Sequence, residues 1–268
     1  MPVTLDPILN HVPAWLMVMF RITGIFVIAP VLGSNTIPGR IKILFALVLS
    51  FCVYPMLLTP GKPSAGFVGH VVDHGMSMWA MGGAVAMELL LGIVIGYGAT
   101  LPIIAMQTAG HIVDQQMGMG LGGLFNPELN DDGTVSSQFF FILAMMIFMI
   151  IGGHRILLAT VIGSYDNVPL GGFRVDGHVL DLLIGMLAAM FDLAFRIAAP
   201  LLCIVFLETI AMGFIARTVP QMNILSIGFP LRIMVGIGIL VVSTATIAMA
   251  ATGSMRQALN QLSRFFGV

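Results

Sequence analysis

The chain has 268 residues, of which only 9% are charged and 58% are apolar, and its mean hydropathy is +1.04. A soluble domain carries about 25% charged residues, so an ordinary soluble enzyme is excluded, as is a disordered chain, which needs low hydrophobicity. With 11 basic residues against 12 acidic, a formal net charge of −1, there is no cationic surface for nucleic acid. What remains is an all-α polytopic membrane protein.

Met1-Pro2-Val3-Thr4-Leu5-Asp6 lacks the basic start of a secretory signal, so the first apolar run is expected to stay as a structural helix. A spanning helix needs about 20 mostly apolar residues, and six segments approach that. They run from about Pro13 to Leu32, Ile43 to Leu58, Trp79 to Met106, Phe139 to Ile151 with a possible extension past Gly152-Gly153, Leu182 to Met212, and Ile233 to Ala251. Breakers lie between them: Ser34 to Gly39, Thr59-Pro60-Gly61-Lys62-Pro63, and Pro169-Leu170-Gly171-Gly172. No internal repeat and no long polar tail is present, so residues 1–268 read as one integral membrane domain.

With six alternating spans, Lys62, Arg155, Arg174, Arg256 and Arg264 fall on one side, and Arg40, Lys42, Arg217 and Arg232 on the other. That balance sets no orientation by the positive-inside rule and warns against simple up-and-down spanning. Cys52 and Cys203 lie in apolar runs, so two buried thiols are expected. Neither a disulfide nor a metal site is indicated.

Charges sit inside the apolar runs: Arg21 in the first, Glu88 in the third, and Asp192, Arg196 and Glu208 in the fifth. Each costs about 2.5–3.5 kcal/mol at a bilayer centre, so the fifth helix should face protein or water rather than lipid. Asp192 and Arg196 stand four apart on one helical face and suit an internal ion pair; together with Glu88 and Glu208 they also suit an ion or proton relay. Gly92 and Gly96 form a small-xxx-small pair that permits close helix approach.

The most unusual stretch is Gln107 to Gln138. Gly118, Gly120, Gly122 and Gly123 alternate with Met117, Met119, Leu121, Leu124 and Phe125. Each glycine costs a helix about 1 kcal/mol, so a stable helix is not expected over residues 118–123, and such backbone is tolerated at membrane depth only under a cover of protein or water. Methionine adapts to irregular contacts, so this stretch suits a deformable seal or a loop packed on a neighbour. His111 and Asp114 are too few for a metal site, and Asn130-Asp131-Asp132-Gly133 lacks the ligand pattern of a calcium loop. No nucleophile–base motif and no phosphate loop occurs, so no enzyme activity and no cofactor is expected.

The stretch Arg217-Thr218-Val219-Pro220-Gln221-Met222-Asn223 followed by Ile227-Gly228-Phe229-Pro230 closely resembles the family of the flagellar biosynthetic protein FliR, the R/T component of type III secretion export gates. Residues 109–118, Asn126-Pro127, Gly152-Gly153-His154 and Pro169-Leu170-Gly171 fall in the family's order, so the resemblance spans the chain. It implies a non-catalytic subunit of the bacterial inner membrane at the flagellar basal body. One copy assembles with FliP-like and FliQ-like subunits, and with an FlhB-like subunit, into the entrance of a channel for exported flagellar proteins. Its helices are implied to be tilted hairpins. The segment Gln116 to Phe125 is implied to plug the pore: Gln116, Met117, Met119, Leu121, Leu124 and Phe125 as gasket, with Gly118, Gly120, Gly122 and Gly123 giving it freedom to deform. Pro220, Gln221, Met222, Asn223, Gly228, Phe229 and Pro230 are assigned to subunit packing. The rival reading is a stand-alone ion- or proton-coupled transporter using Glu88, Asp192, Arg196 and Glu208, although the paired broken repeats of such proteins are not visible.

Overall fold

The computed structural model describes residues 6–34, 36–59, 61–74, 77–119, 135–218 and 224–267. Among these the ordered elements are all helices: α1 (Asp6–Ile28), α2 (Gly39–Leu57), α3 (Pro63–His74), α4 (Met78–Met117), α5 (Val135–Ile151), α6 (Gly153–Asn167), α7 (Gly177–Thr218) and α8 (Ile224–Phe266). Five are long and apolar enough to cross a membrane, and α5 with α6 supplies a sixth if taken as one span bent by 62°. The bend falls at Gly152, whose φ of +75° is a conformation that suits glycine.

Most helices outrun the predicted segments, whereas α1 stops at Ile28, short of the expected Leu32, where Pro30 and the turn at Val31 break the ladder. α4 continues through Pro102 to Met117, so Gln107–Met117 is helical and the ladder breaks off only at Gly118. α7 and α8 have 42 and 43 residues. At 1.5 Å per residue they are about 60 Å long, twice the hydrocarbon core. α3 was not expected; its twelve residues are too short to span.

The chain forms two compact units, one of residues 1–100, 152–184 and 256–268, the other of residues 101–151 and 185–255. In the first, α1 packs on α2 and α3, and α3 packs on α6. α1 and α4 meet backbone to backbone: a Cβ at Gly24 would strike the Leu89 carbonyl, and one at Gly92 would strike the Arg21 carbonyl. Gly92 thus serves close approach, as its spacing suggests, and Gly96 lies against Ala29. α1 ends in a tight turn in which Leu32 N–H donates to the Pro30 carbonyl at 2.7 Å. The turn holds Val31 at φ +66°, a conformation β-branched residues rarely adopt. In the second unit, Gly110 of α4 lies against the backbone of Ser136 and Ser137.

Cys52 and Cys203 are exposed on the surface of the chain, not buried. The apolar runs that carry them turn large side chains outward, including Phe45, Val48 and Phe51 on α2 and Phe206, Leu207 and Phe214 on α7. In a membrane protein apolarity does not separate core from exterior, which is why the expectation failed.

Candidate functional site

The charges inside the apolar helices are each neutralised by a different partner. Arg21 and Glu88, both fully buried, form an ion pair in the first unit. Arg21 Nη1 donates to Ser164 Oγ at 3.0 Å and both of its terminal nitrogens donate to the Val168 carbonyl at 3.1 Å. Glu88 Oε1 accepts the Gly171 N–H at 2.8 Å. The guanidinium also lies 4.1 Å from the centre of the Tyr165 ring, within cation–π range. One buried cluster therefore ties α1, α4, α6 and the turn after α6 together. A buried pair with its remaining donors and acceptors satisfied is a structural fixture.

In the second unit Glu208 of α7 pairs with Arg232 of α8 at 3.1 Å. Arg232 also donates to Thr209 Oγ1 at 2.9 Å and, at 3.4 Å, to the Gln116 carbonyl. Asp192 and Arg196 form the expected pair at 2.9 Å, with side chains 67% and 68% exposed. The residues weighed as a relay are thus dispersed into three separate pairs, Glu88 with Arg21, Asp192 with Arg196 and Glu208 with Arg232. Arg232, counted among the loop charges by its sequence, lies inside α8. It stands 24 residues from Glu208, and no helical spacing relates the two; its only signal was an arginine at the start of an apolar run.

Arg232 leads to the root of the glycine–methionine stretch. α4 ends at Met117, followed by Gly118 at φ +78°, a glycine stop in the left-handed region. The Phe229 ring lies against Gly118, so a Cβ there would sit 2.7 Å from Phe229 Cε1. Met117 is fully buried and its thioether fills the space that a side chain at Gly236 would need. Asp114, also fully buried, accepts the N–H groups of Ser136 and Ser137 at 3.0 and 3.1 Å, capping the first turn of α5 from another helix. Its carboxylate is therefore a capping acceptor. Gly236 and Phe229 thus hold the end of α4, and Asp114 holds the start of α5.

Of the predicted gasket, Gln116 is exposed, Met117 is buried and Met119 is half-buried. Leu121, Leu124 and Phe125, with Gly120, Gly122 and Gly123, lie outside the described residues, as do Pro220, Gln221, Met222 and Asn223. Gly228 approaches the Met212 methyl, and Pro230 is exposed within α8.

Comparison with known proteins places these features in a family. The sequence profile described as "Bacterial export proteins, family 1" matches residues 12–258. The chain is 29% identical over 247 residues to the flagellar biosynthetic protein FliR of Bacillus subtilis (strain 168), covering 91% of this chain and 90% of that protein. It is 26% identical over 231 residues to FliR of Escherichia coli (strain K12), covering 85% and 84%. It is 27% identical over 245 residues to the Yop proteins translocation protein T of Yersinia pestis, covering 91% and 90%. With nearly its whole length matched, the chain belongs to this family of bacterial export proteins.

Proposed function

We propose that this chain is a membrane subunit of a flagellar type III protein export apparatus and performs no catalysis of its own. The match over residues 12–258 to a bacterial export family, on a chain with five helices of membrane-crossing length, carries this reading. On it, the chain sits in the inner membrane at the basal body as one functional domain. It assembles with FliP-like and FliQ-like subunits, and with an FlhB-like subunit, around the channel entrance.

The segment from Gln116 to Phe125 is proposed to close that entrance. Met117 roots it, and Gln116, Met119, Leu121, Leu124 and Phe125 form the soft contact with a passing chain. A thioether and aliphatic surface deforms around an unfolded substrate and closes again without specific hydrogen bonds. The contacts of Asp114, Phe229 and Arg232 at the root support this reading because a seal needs a fixed base.

Affinity purification from native membranes in mild detergent, followed by native mass spectrometry, tests the assignment. The expected result is a hetero-oligomer with one copy of this chain and several copies of two other membrane subunits. A lone monomer or homodimer in every detergent would overturn it and return the rival transporter to first place.

A further inference from the structure

Arg232 of α8 sits between two negative sites that belong to different helices. One is the Glu208 carboxylate of α7, 3.1 Å from Arg232 Nε. The other is the C-terminal end of α4, where the Gln116 carbonyl accepts from Arg232 Nη1 at 3.4 Å. The last carbonyls of a helix carry about half an elementary negative charge, and an arginine placed there caps them. All these residues belong to the second unit.

The contact with Glu208 is not made as an isolated ion pair would make it. Arginine and a carboxylate frequently meet as a fork, with two parallel N–H groups on two oxygens. Here Arg232 uses only Oε2. Glu208 Oε1 is buried without a hydrogen-bond partner among the described residues, on a side chain only 8% exposed. The guanidinium directs its terminal nitrogens elsewhere, Nη2 to Thr209 Oγ1 at 2.9 Å and Nη1 to Gln116. Leaving a buried carboxylate oxygen unmatched is costly, so the arrangement gives up part of the ion pair in order to reach α4.

That reach completes a three-point grip. Phe229, Arg232 and Gly236 follow one another at spacings of three and four within α8, which puts them on one helical face. Each meets one of the last residues of α4: Phe229 lies on Gly118, Arg232 bonds the Gln116 carbonyl, and Gly236 makes room for the Met117 thioether. The first and third contacts are apolar and without charge. The second depends on a cation that Glu208 also attracts.

We infer that Arg232 is a positioning residue for the seal: it caps the end of α4 and holds Gln116 and Met117 on α8, and Glu208 competes with α4 for its charge. The inference rests on the reading that Gln116 to Phe125 closes the channel entrance. A plain ion pair predicts that loss of either charge loosens the structure. Competition predicts opposite signs. Without the Glu208 charge the guanidinium turns wholly to α4 and the cap tightens. Without Arg232 the cap is lost, whatever stands at position 208.

The test is hydrogen–deuterium exchange of the last turn of α4, residues 113–117, in the whole complex in mild detergent, with ion permeability of cells measured alongside. Glu208→Gln should slow exchange by about two- to fivefold, and Arg232→Gln should speed it by about the same factor, the range for a charge at a helix end. The double variant Arg232→Gln, Glu208→Gln strands no charge and serves if Arg232→Gln alone fails to assemble; it should still exchange faster than wild type. Arg232→Lys keeps the charge and should restore most of the protection. Faster exchange in Glu208→Gln, or a double variant that exchanges like wild type, would overturn the inference and reduce the contact to a plain ion pair. Ion leak should rise in Arg232→Gln and in the double variant. The expected exchange pattern with unaltered permeability would leave the cap standing and overturn the seal reading instead.

Discussion

Removing one half of the Arg21–Glu88 pair should be among the most destabilising single changes in this chain. Arg21→Met leaves a fully buried Glu88 carboxylate facing an apolar side chain, and strands the Val168 carbonyl that took two of the guanidinium's hydrogen bonds. Loss of one partner from a buried ion pair costs about 3–5 kcal/mol. Glu88→Leu leaves the Arg21 charge and the Gly171 N–H unpaired, and the same range applies. If the two losses were independent, the double variant would lose about 6–10 kcal/mol. It has no stranded charge, however. What remains is the unmet Val168 carbonyl and Gly171 N–H, at about 1–3 kcal/mol each. The double variant should therefore lose about 2–6 kcal/mol, well short of the sum. The assay is thermal unfolding of the purified protein in detergent micelles for wild type, both singles and the double, read as a double-mutant cycle. Additive losses, or an Arg21→Met variant that melts like wild type, would refute the view that this cluster binds α1, α4 and α6 together.

The glycines separate by what surrounds them. Gly92→Ala should lose about 1–3 kcal/mol of stability by overpacking against α1, whereas Gly82→Ala, with open space around it, should gain about 0.5–1 kcal/mol from helix propensity; melting in micelles reads both. Asp114→Ala removes the carboxylate that accepts the Ser136 and Ser137 N–H groups and should cost about 2 kcal/mol or more. Gly118→Ala forces a side chain into the left-handed region, at about 1–2 kcal/mol, and into the Phe229 ring. Secretion of flagellar substrates in a complemented strain should fall, and Phe229→Ala should restore part of it by clearing the contact. Full secretion by Gly118→Ala alone would show that the root tolerates displacement.

What could be read ahead from the sequence is what depends on neighbours along the chain. The Asp192–Arg196 pair follows from a four-residue spacing, and Gly92 marks α4 as open to close helix approach without naming α1 as the partner; whether the fourth segment ran on past Gly152-Gly153 stayed open. The helix ends were underestimated because a hydropathy window stops where polar residues begin, while the backbone ladder does not: Gln107, Thr108, His111 and Gln115 continue α4 because packing against α5 and α8 supplies what propensity lacks. The long-range partners were invisible for a different reason. Arg21 and Glu88 are 67 residues apart and Glu208 and Arg232 are 24 apart, and no period connects such positions. Cys52 and Cys203 show the reverse limit, since in a chain this apolar a hydrophobic neighbourhood does not say which face is inside.

The charges of α7 constrain what this chain must meet in the cell. Any stretch of about 20 residues taken within Gly177–Thr218 contains Asp192 or Glu208. If the bilayer covers the earlier part, the exposed Asp192–Arg196 pair lies in hydrocarbon, where each charge costs about 2.5–3.5 kcal/mol and only protein or water relieves it. If it covers the later part, Glu208 is inside with Arg232 and already paired. Residues 177–192 then stand outside the bilayer, exposing Ile184, Leu187 and Phe191 to water, an apolar stripe that soluble proteins cover with a partner. The first register lacks a cover for charge and the second lacks one for apolar surface. In both, α7 needs cover from protein or water, and the proposed assembly would supply it.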